Sequence, residues 1–193
     1  MFWALRKTPN YEATVLEGER VLLRPLLVSD ATEMFTFVSD PEVTHFLPWE
    51  PAKRVETVQN FLEDQIARRK RGESLGFAIL EKQGAKMIGS TDLMDLRAKR
   101  GQAEIGYLLA KPYWGQGIMT EAARLSVDFG FRCMKLTCVI AWADQENLAS
   151  VQVMKKLGMT YSGSETRLVK NLSRPYVQYA VERADWTMLP SEE

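Results

Sequence analysis

The chain has 193 residues, 46% hydrophobic and 26% charged, which is enough for one well-filled core and short for two, so a single domain over residues 1–193 is expected. Its 25 basic and 25 acidic residues cancel, which excludes a general electrostatic pull toward nucleic acid or an acidic membrane; no sequence-specific nucleic-acid contact is expected. Two cysteines, Cys133 and Cys138, and one histidine, His45, supply neither a structural zinc set nor a disulfide framework, so no metal and a reducing compartment are expected.

In chain order, Met1 to Lys7 has too short an apolar run for a secretory signal and carries its charges on the wrong side. No stretch approaches the ~20 apolar residues of a membrane span, so a cytoplasmic location with no membrane partner is expected. Arg20 to Leu26 is β-rich after a Glu17-Gly18-Glu19 turn, and Ser29-Asp30 supplies capping chemistry for a short helix through Phe37. Pro41, Pro48 and Pro51 punctuate an aromatic loop, His45 to Trp49. Val55, Val58, Gln59, Leu62 and Ile66 then repeat at helical spacing up to Gly72. The basic run Arg68-Arg69-Lys70-Arg71 complements the carbonyl end of that second helix; docking on ribosomal RNA is its other reading. Phe77 to Leu80 and Met87 to Thr91 are strand-like and joined by a segment of hairpin composition, Lys82 to Ala85.

Ala103 to Ala110 is a strand run interrupted by one carboxylate, Glu104, which by alternation faces either solvent or a functional cleft. Gly115-Gln116-Gly117 then leads straight into a helix whose small apolar face is Met119, Ala122, Ala123, Ser126, Val127 and Gly130. At a helix start several N–H groups lack partners and the dipole is positive. Glycines let an anion approach the backbone with no Cβ in the way, so the turn reads as a phosphate cradle. Two glycines alone also fit an ordinary strand-to-helix turn. The chain lacks the Gly-Lys-Ser/Thr ending of a Walker loop, and Thr120 stands where a dinucleotide fingerprint needs a third glycine. Leu136 to Trp142 is the next strand. Asp144 to Asn147 opens a helix carrying Leu148, Val151, Met154 and Leu157, closed by Gly158. Strands at Tyr161 to Leu168 and Tyr176 to Glu182 complete a mixed sheet with helices on both faces.

The block Trp114 to Ala122, a Trp-Gly-x-Gly-x-x-x-Glu-Ala pattern, is joined by Glu104 before it and by Asn147 to Ser150 and Asp185-Trp186 after it. Together they resemble the GNAT acetyltransferase superfamily, most closely the RimJ/RimL-like branch that acetylates the N-terminal alanine of ribosomal proteins. The likeness runs from about Glu19 to Trp186, and departs from the superfamily's Gln/Arg-x-x-Gly-x-Gly/Ala pattern at Pro112. It implies an α/β GNAT fold: a central mixed, mostly antiparallel sheet with helices on both faces, and two splayed parallel strands holding acetyl-coenzyme A (acetyl-CoA). The activity implied is direct transfer of acetyl from acetyl-CoA to a primary amine.

The resemblance also implies roles. Backbone N–H groups over Trp114, Gly115, Gln116, Gly117, Ile118, Met119 and Thr120 would hold the pyrophosphate. Leu108, Leu109 and Ala110 would line the pantetheine and present the carbonyl-binding N–H. Glu104 would be the base, acting through water. Relatives outside this branch place a tyrosine seven residues after the asparagine, where this chain has Met154; Ser150 is the hydroxyl left on that helix to stabilise the thiolate or relay water. Asn147 would bind pantetheine with its amide, or serve the helix start. Phe46 and Trp49, between the first two helices, and Tyr107 would contact the acceptor. An α-amine of pKa near ~8 loses its proton at pH 7 for about 1.4 kcal/mol and a lysine near ~10.4 for about 4.6 kcal/mol, so one relayed base suits an N-terminus better. The expected acceptor is therefore a protein N-terminus such as a ribosomal protein's, with a transient ribosome contact. A small-molecule amine (antibiotic, polyamine, amino acid) or a non-catalytic acyl-CoA sensor is the other reading, and monomer and homodimer both fit.

Overall fold

A computed structural model describes residues 11, 13–96 and 101–187; the opening run Met1 to Lys7 lies outside them. Eight strands form one sheet: β1 (Leu16–Glu17), β2 (Val21–Pro25), β3 (Leu75–Glu81), β4 (Met87–Met94), β5 (Gln102–Leu109), β6 (Cys138–Asp144), β7 (Thr160–Val169) and β8 (Leu172–Glu182). Their order is β1-β2-β3-β4-β5-β6-β8-β7. Every neighbouring pair is antiparallel except β5 and β6, which are parallel. This is the GNAT fold expected from the sequence.

Helices cover both faces. On one face lies α4 (Ile118–Arg132), its small residues Ala122, Ala123 and Ser126 allowing close approach to the strands, with α5 (Leu148–Lys156) beside it. On the other, α1 (Ala31–Val38) and α3 (Val55–Arg71) bury Met34, Phe37, Val58 and Leu62 against Ala78 and Met87. The Asp185-Trp186 motif is an anchor on α4. The Trp186 indole N–H donates to Asp128 at 3.1 Å, and its ring packs on Phe131 and beneath Arg124.

One feature of the sheet makes room for a ligand. β5 and β6 pair only from Gln102↔Cys138 to Glu104↔Ile140. Beyond that, β5 stays with β4 as far as Leu109, and β6 stays with β8 as far as Asp144. The two parallel strands therefore splay apart toward their carboxyl ends.

Three details differ from the sequence expectation. Asp30 does not cap α1; its carboxylate accepts the Leu27 N–H at 2.8 Å and both arms of the Arg24 guanidinium, closing a short 3-10 turn ahead of the helix. The segment before the aromatic loop contains α2 (Pro41–Thr44), whose start is fixed by Asp40 accepting the Glu42 N–H and by Pro41 in the first turn. The basic run is partly absorbed by the chain: Arg69 donates to the Leu26 carbonyl at 3.0 Å, and Arg71 pairs with Glu73.

Arg68 faces Asp92, whose Oδ1 is shut off from solvent with no hydrogen-bond partner. Burial pushes this carboxyl up to about 6, with Asp95 adding and Arg68 and a backbone hydrogen bond at Leu75 opposing. A raised carboxyl binds more protons folded than unfolded, so its contribution to stability is present at low pH and is lost as pH rises through about 6. Asp92→Asn is expected to stabilise the protein by about 1–3 kcal/mol above neutrality and by much less near the ordinary carboxylate pKa of about 4. Urea unfolding at the two pH values checks this; a gain of equal size at both contradicts it.

Candidate active site

A cavity of about 680 Å³ lies between the carboxyl end of β5 and α5, beyond the point where β5 and β6 part. Its floor is the turn from Trp114 to Thr120, where Gly115 and Gly117 adopt φ of 74° and 77°. These left-handed values favour glycine, and a Cβ on Gly115 would meet nothing within 4 Å, so the backbone there lies open. The α4 N-cap, Gly117, carries no side chain to satisfy the first turn, which leaves the N–H groups of Ile118, Met119 and Thr120 without a side-chain cap beside the cavity. Their free N–H groups and the positive end of the helix dipole make this a helix start that suits an anion.

β5 forms one wall. The Ala110 N–H donates to the Ile88 carbonyl on β4 at 2.8 Å, so strand alternation turns the Leu109 N–H the other way, into the gap that β6 has left. Trp114 locks this strand end, its indole N–H donating to the Leu109 carbonyl at 2.7 Å. The Leu109 N–H is thus an available donor for a carbonyl oxygen.

α5 forms the opposite wall. Asn147 caps it by accepting the Ser150 N–H on Oδ1 at 3.1 Å, which leaves its NH₂ group for a ligand. Ser150 reaches the Tyr107 hydroxyl: the two oxygens are 3.0 Å apart, and Tyr107 also lies 3.1 Å from the Ser150 carbonyl oxygen. Burial pushes the Tyr107 phenol up to about 12, against the pull of its hydrogen bond to Ser150, so it stays protonated and can donate. When the Tyr107 proton goes to Ser150 Oγ, the Ser150 hydroxyl is free to donate to a third group.

The roof comes from α2 and the loop after it, with Glu42, Val43, Phe46 and Leu47 facing the cavity. The β7–β8 turn docks here: Lys170, at φ 51°, donates from Nζ to the Thr44 carbonyl at 2.8 Å.

Of the residues expected from the sequence, Phe46, Tyr107, Leu108, Leu109, Trp114, Gly115, Gly117, Ile118, Met119, Thr120, Asn147 and Ser150 meet around this one cavity. Four do not line it. Ala110 packs with Met87 in the core beneath α1. Trp49 packs against that same core. Gln116 turns its side-chain amide to the Pro112 carbonyl at 2.8 Å, leaving only its backbone in the turn. Met154, where relatives outside the branch carry a tyrosine, is buried in the core.

The fourth expected site residue that stands outside the cavity is Glu104. It shares a strand face with Leu108 and lies four residues, about 13 Å, up the strand, so any proton from the cavity reaches it through water. Its pKa is raised mainly by burial, with Asp95 and Glu165 adding and Arg167 opposing. Arg167 itself is held over Trp142 at 4.2 Å and Tyr176 at 5.1 Å, and pairs with Glu165 at 2.6 Å. Sequence reasoning passed over Val43, Leu47, Val153 and Lys156, which line the cavity. Val153 and Lys156 lie about one and two helical turns beyond Ser150, a spacing that the cap marks once α5 is known to face the fork.

Among the described residues, no group of three or more His, Cys, Asp and Glu side chains is placed to hold a metal, and no helix is long and apolar enough to cross a membrane.

The family described as acetyltransferase (GNAT) domain matches residues 20–160. A Bacillus subtilis (strain 168) protein named "Probable N-acetyltransferase YjcK" is 32% identical over 161 residues, covering 81% of this chain and 89% of that one. The spermidine N(1)-acetyltransferase of Escherichia coli (strain K12) is 26% identical over 147 residues, 74% of each chain. Among solved structures, RimL, a ribosomal L7/L12 α-N-protein acetyltransferase in complex with coenzyme A, superposes with a TM-score of 0.80 at 19% identity, over 88% of this chain and 98% of that one.

Proposed function

The chain belongs to the acetyltransferase (GNAT) domain family, enzymes that acetylate amines, and from that premise we propose that it transfers the acetyl group of acetyl-CoA to the N-terminal α-amine of a protein. The observation that carries the reading is the meeting, in one cavity, of the uncapped α4 start, the Leu109 N–H and the Ser150 hydroxyl.

When bound, acetyl-CoA supplies a thioester whose acyl carbon is open to attack by an amine. The residues present fit it. The first turn of α4 and the glycine turn would hold its phosphates, and the Asn147 amide would bind its pantetheine. The Leu109 N–H would be the donor that meets negative charge on the acetyl oxygen. Glu104 takes the amine proton through water, a task within reach of one carboxylate when the amine pKa is near ~8. Ser150, accepting a hydrogen bond from Tyr107, would have its own hydroxyl free to donate to the leaving sulfur.

Tyr107→Phe removes that second hydroxyl and keeps the ring. It is expected to lower kcat by about three- to tenfold, the worth of one neutral hydrogen bond, with the KM for acetyl-CoA unchanged. Steady-state kinetics check it; an unchanged kcat removes Tyr107 from the relay.

A second reading has its own support. Asp95 and Glu165 act on Glu104 against the nearby Arg167, and three carboxylates to one cation suit a polycation such as the substrate of the spermidine acetyltransferase relative. Thiol release from acetyl-CoA with an acceptor panel separates the two: lysine-free peptides with free N-terminal Ala, Ser or Met, the same peptides blocked, spermidine and an aminoglycoside. Turnover confined to free N-termini supports the proposal, and turnover confined to spermidine or the aminoglycoside overturns it.

A further inference from the structure

Arg20, just ahead of β2, makes one hydrogen bond to the glycine turn and two to Glu121 in the first turn of α4. Its Nη1 donates to the Gln116 carbonyl at 2.7 Å, its Nε to Glu121 Oε2 at 2.8 Å, and its backbone N–H to Glu121 Oε1 at 2.8 Å. The β1–β2 turn is shaped to let this happen: a Cβ on Gly18 would sit 2.5 Å from Glu121 Oε1. The Arg20 Nη2 approaches Gly117, 3.6 Å from where a Cβ would be.

Two physical consequences follow. A peptide unit is planar and trans, so its C=O and N–H point in opposite directions. With the Gln116 carbonyl tied outward to Arg20, the N–H of the same peptide, that of Gly117, is aimed away from Arg20, and Gly117 lines the cavity. The second consequence is electrostatic. Glu121 sits in the first turn of α4, where the helix start attracts anions; an unpaired carboxylate there stabilises the helix but repels a second anion. Arg20 cancels that charge next to the site a phosphate must enter.

We propose that Arg20 is a positioning residue for coenzyme binding: it fixes the Gly117 N–H toward the coenzyme's phosphates and neutralises Glu121 at the mouth of their site. The inference rests on the acetyl-CoA reading above. It assigns a role to a residue that does not itself line the cavity.

Titration calorimetry with coenzyme A, run well below the melting temperature of each variant, tests it. Arg20→Gln is expected to weaken binding about tenfold or more, since it loses charge-assisted hydrogen bonds and leaves Glu121 unpaired. Arg20→Lys keeps the charge without the fork and is expected to fall between. Adding Glu121→Gln to Arg20→Gln is expected to recover about two- to fivefold by removing the stranded charge, a recovery that a merely structural role for Arg20 would not give. The KM for acetyl-CoA should rise with kcat little changed. Folded Arg20→Gln protein that binds coenzyme A like the wild type, or a double variant that binds more weakly than Arg20→Gln alone, overturns the proposal. A wild-type chain that takes up no coenzyme A overturns the cofactor reading itself, and this one with it.

Discussion

Glu104→Gln is expected to lower kcat/KM for a peptide α-amine at neutral pH by about 10²- to 10⁴-fold, the usual worth of a positioned general base. Coenzyme A affinity should stay at the wild-type value, because Glu104 does not line the cavity that would hold the coenzyme. The pH dependence carries the sharper signature. A base must be ionised to work, and burial raises the Glu104 pKa, so wild-type activity is lost as pH falls through a value above the ordinary carboxylate range. In the variant that acid limb should vanish, leaving only the titration of the acceptor, and the gap between the two enzymes should narrow as pH passes the α-amine pKa of about 8. A glutamine variant with normal turnover from about pH 6 to about pH 9 would remove Glu104 from the chemistry while leaving the acyltransferase assignment standing.

Ser150→Ala carries the second large effect, a fall in kcat of about 10- to 100-fold from losing the hydrogen bond that meets charge on the departing sulfur. The substitution is clean for a local reason. Asn147 bonds the Ser150 backbone N–H, and Tyr107 can keep its proton on the Ser150 carbonyl oxygen, so neither the helix cap nor the tyrosine position depends on the hydroxyl. The loss should appear in kcat with the KM for acetyl-CoA kept, because the interaction strengthens only as the thiolate forms. An alanine variant of unchanged kcat would assign the leaving group to water or to Tyr107 alone.

The glycine turn was legible in the sequence because its requirement is local: a strand, two residues at positive φ and a helix start are all encoded within about twenty positions. Asn147 was legible for the same reason, and its cap on Ser150 is the interaction that its position before an apolar-periodic run announces. What the sequence left open was long-range. Alternation gave Glu104 two faces, and only the sheet order, with α1 and α3 on the Leu108 side, decides between them. Ala110 belongs to the same strand run as Leu109, yet the β4 ladder takes its N–H and turns it from the fork. Asp30 has the chemistry of a cap, but a bidentate arginine six residues earlier draws its carboxylate elsewhere. Arg20 was invisible as a site residue because its partner, Glu121, is 101 residues away and no local pattern joins them.

The central claim, that the fork between β5 and β6 serves acetyl transfer to an N-terminal amine, is tested most directly by locating the acetyl group on product. The acceptor is a peptide with a free N-terminal alanine and one internal lysine, incubated with acetyl-CoA and the purified chain, and read by fragmentation mass spectrometry. The account predicts a single acetyl group on the α-amine, formed only when the chain is present. Acetyl on the lysine with the α-amine free, or no acetylated peptide while the chain binds acetyl-CoA, would contradict it.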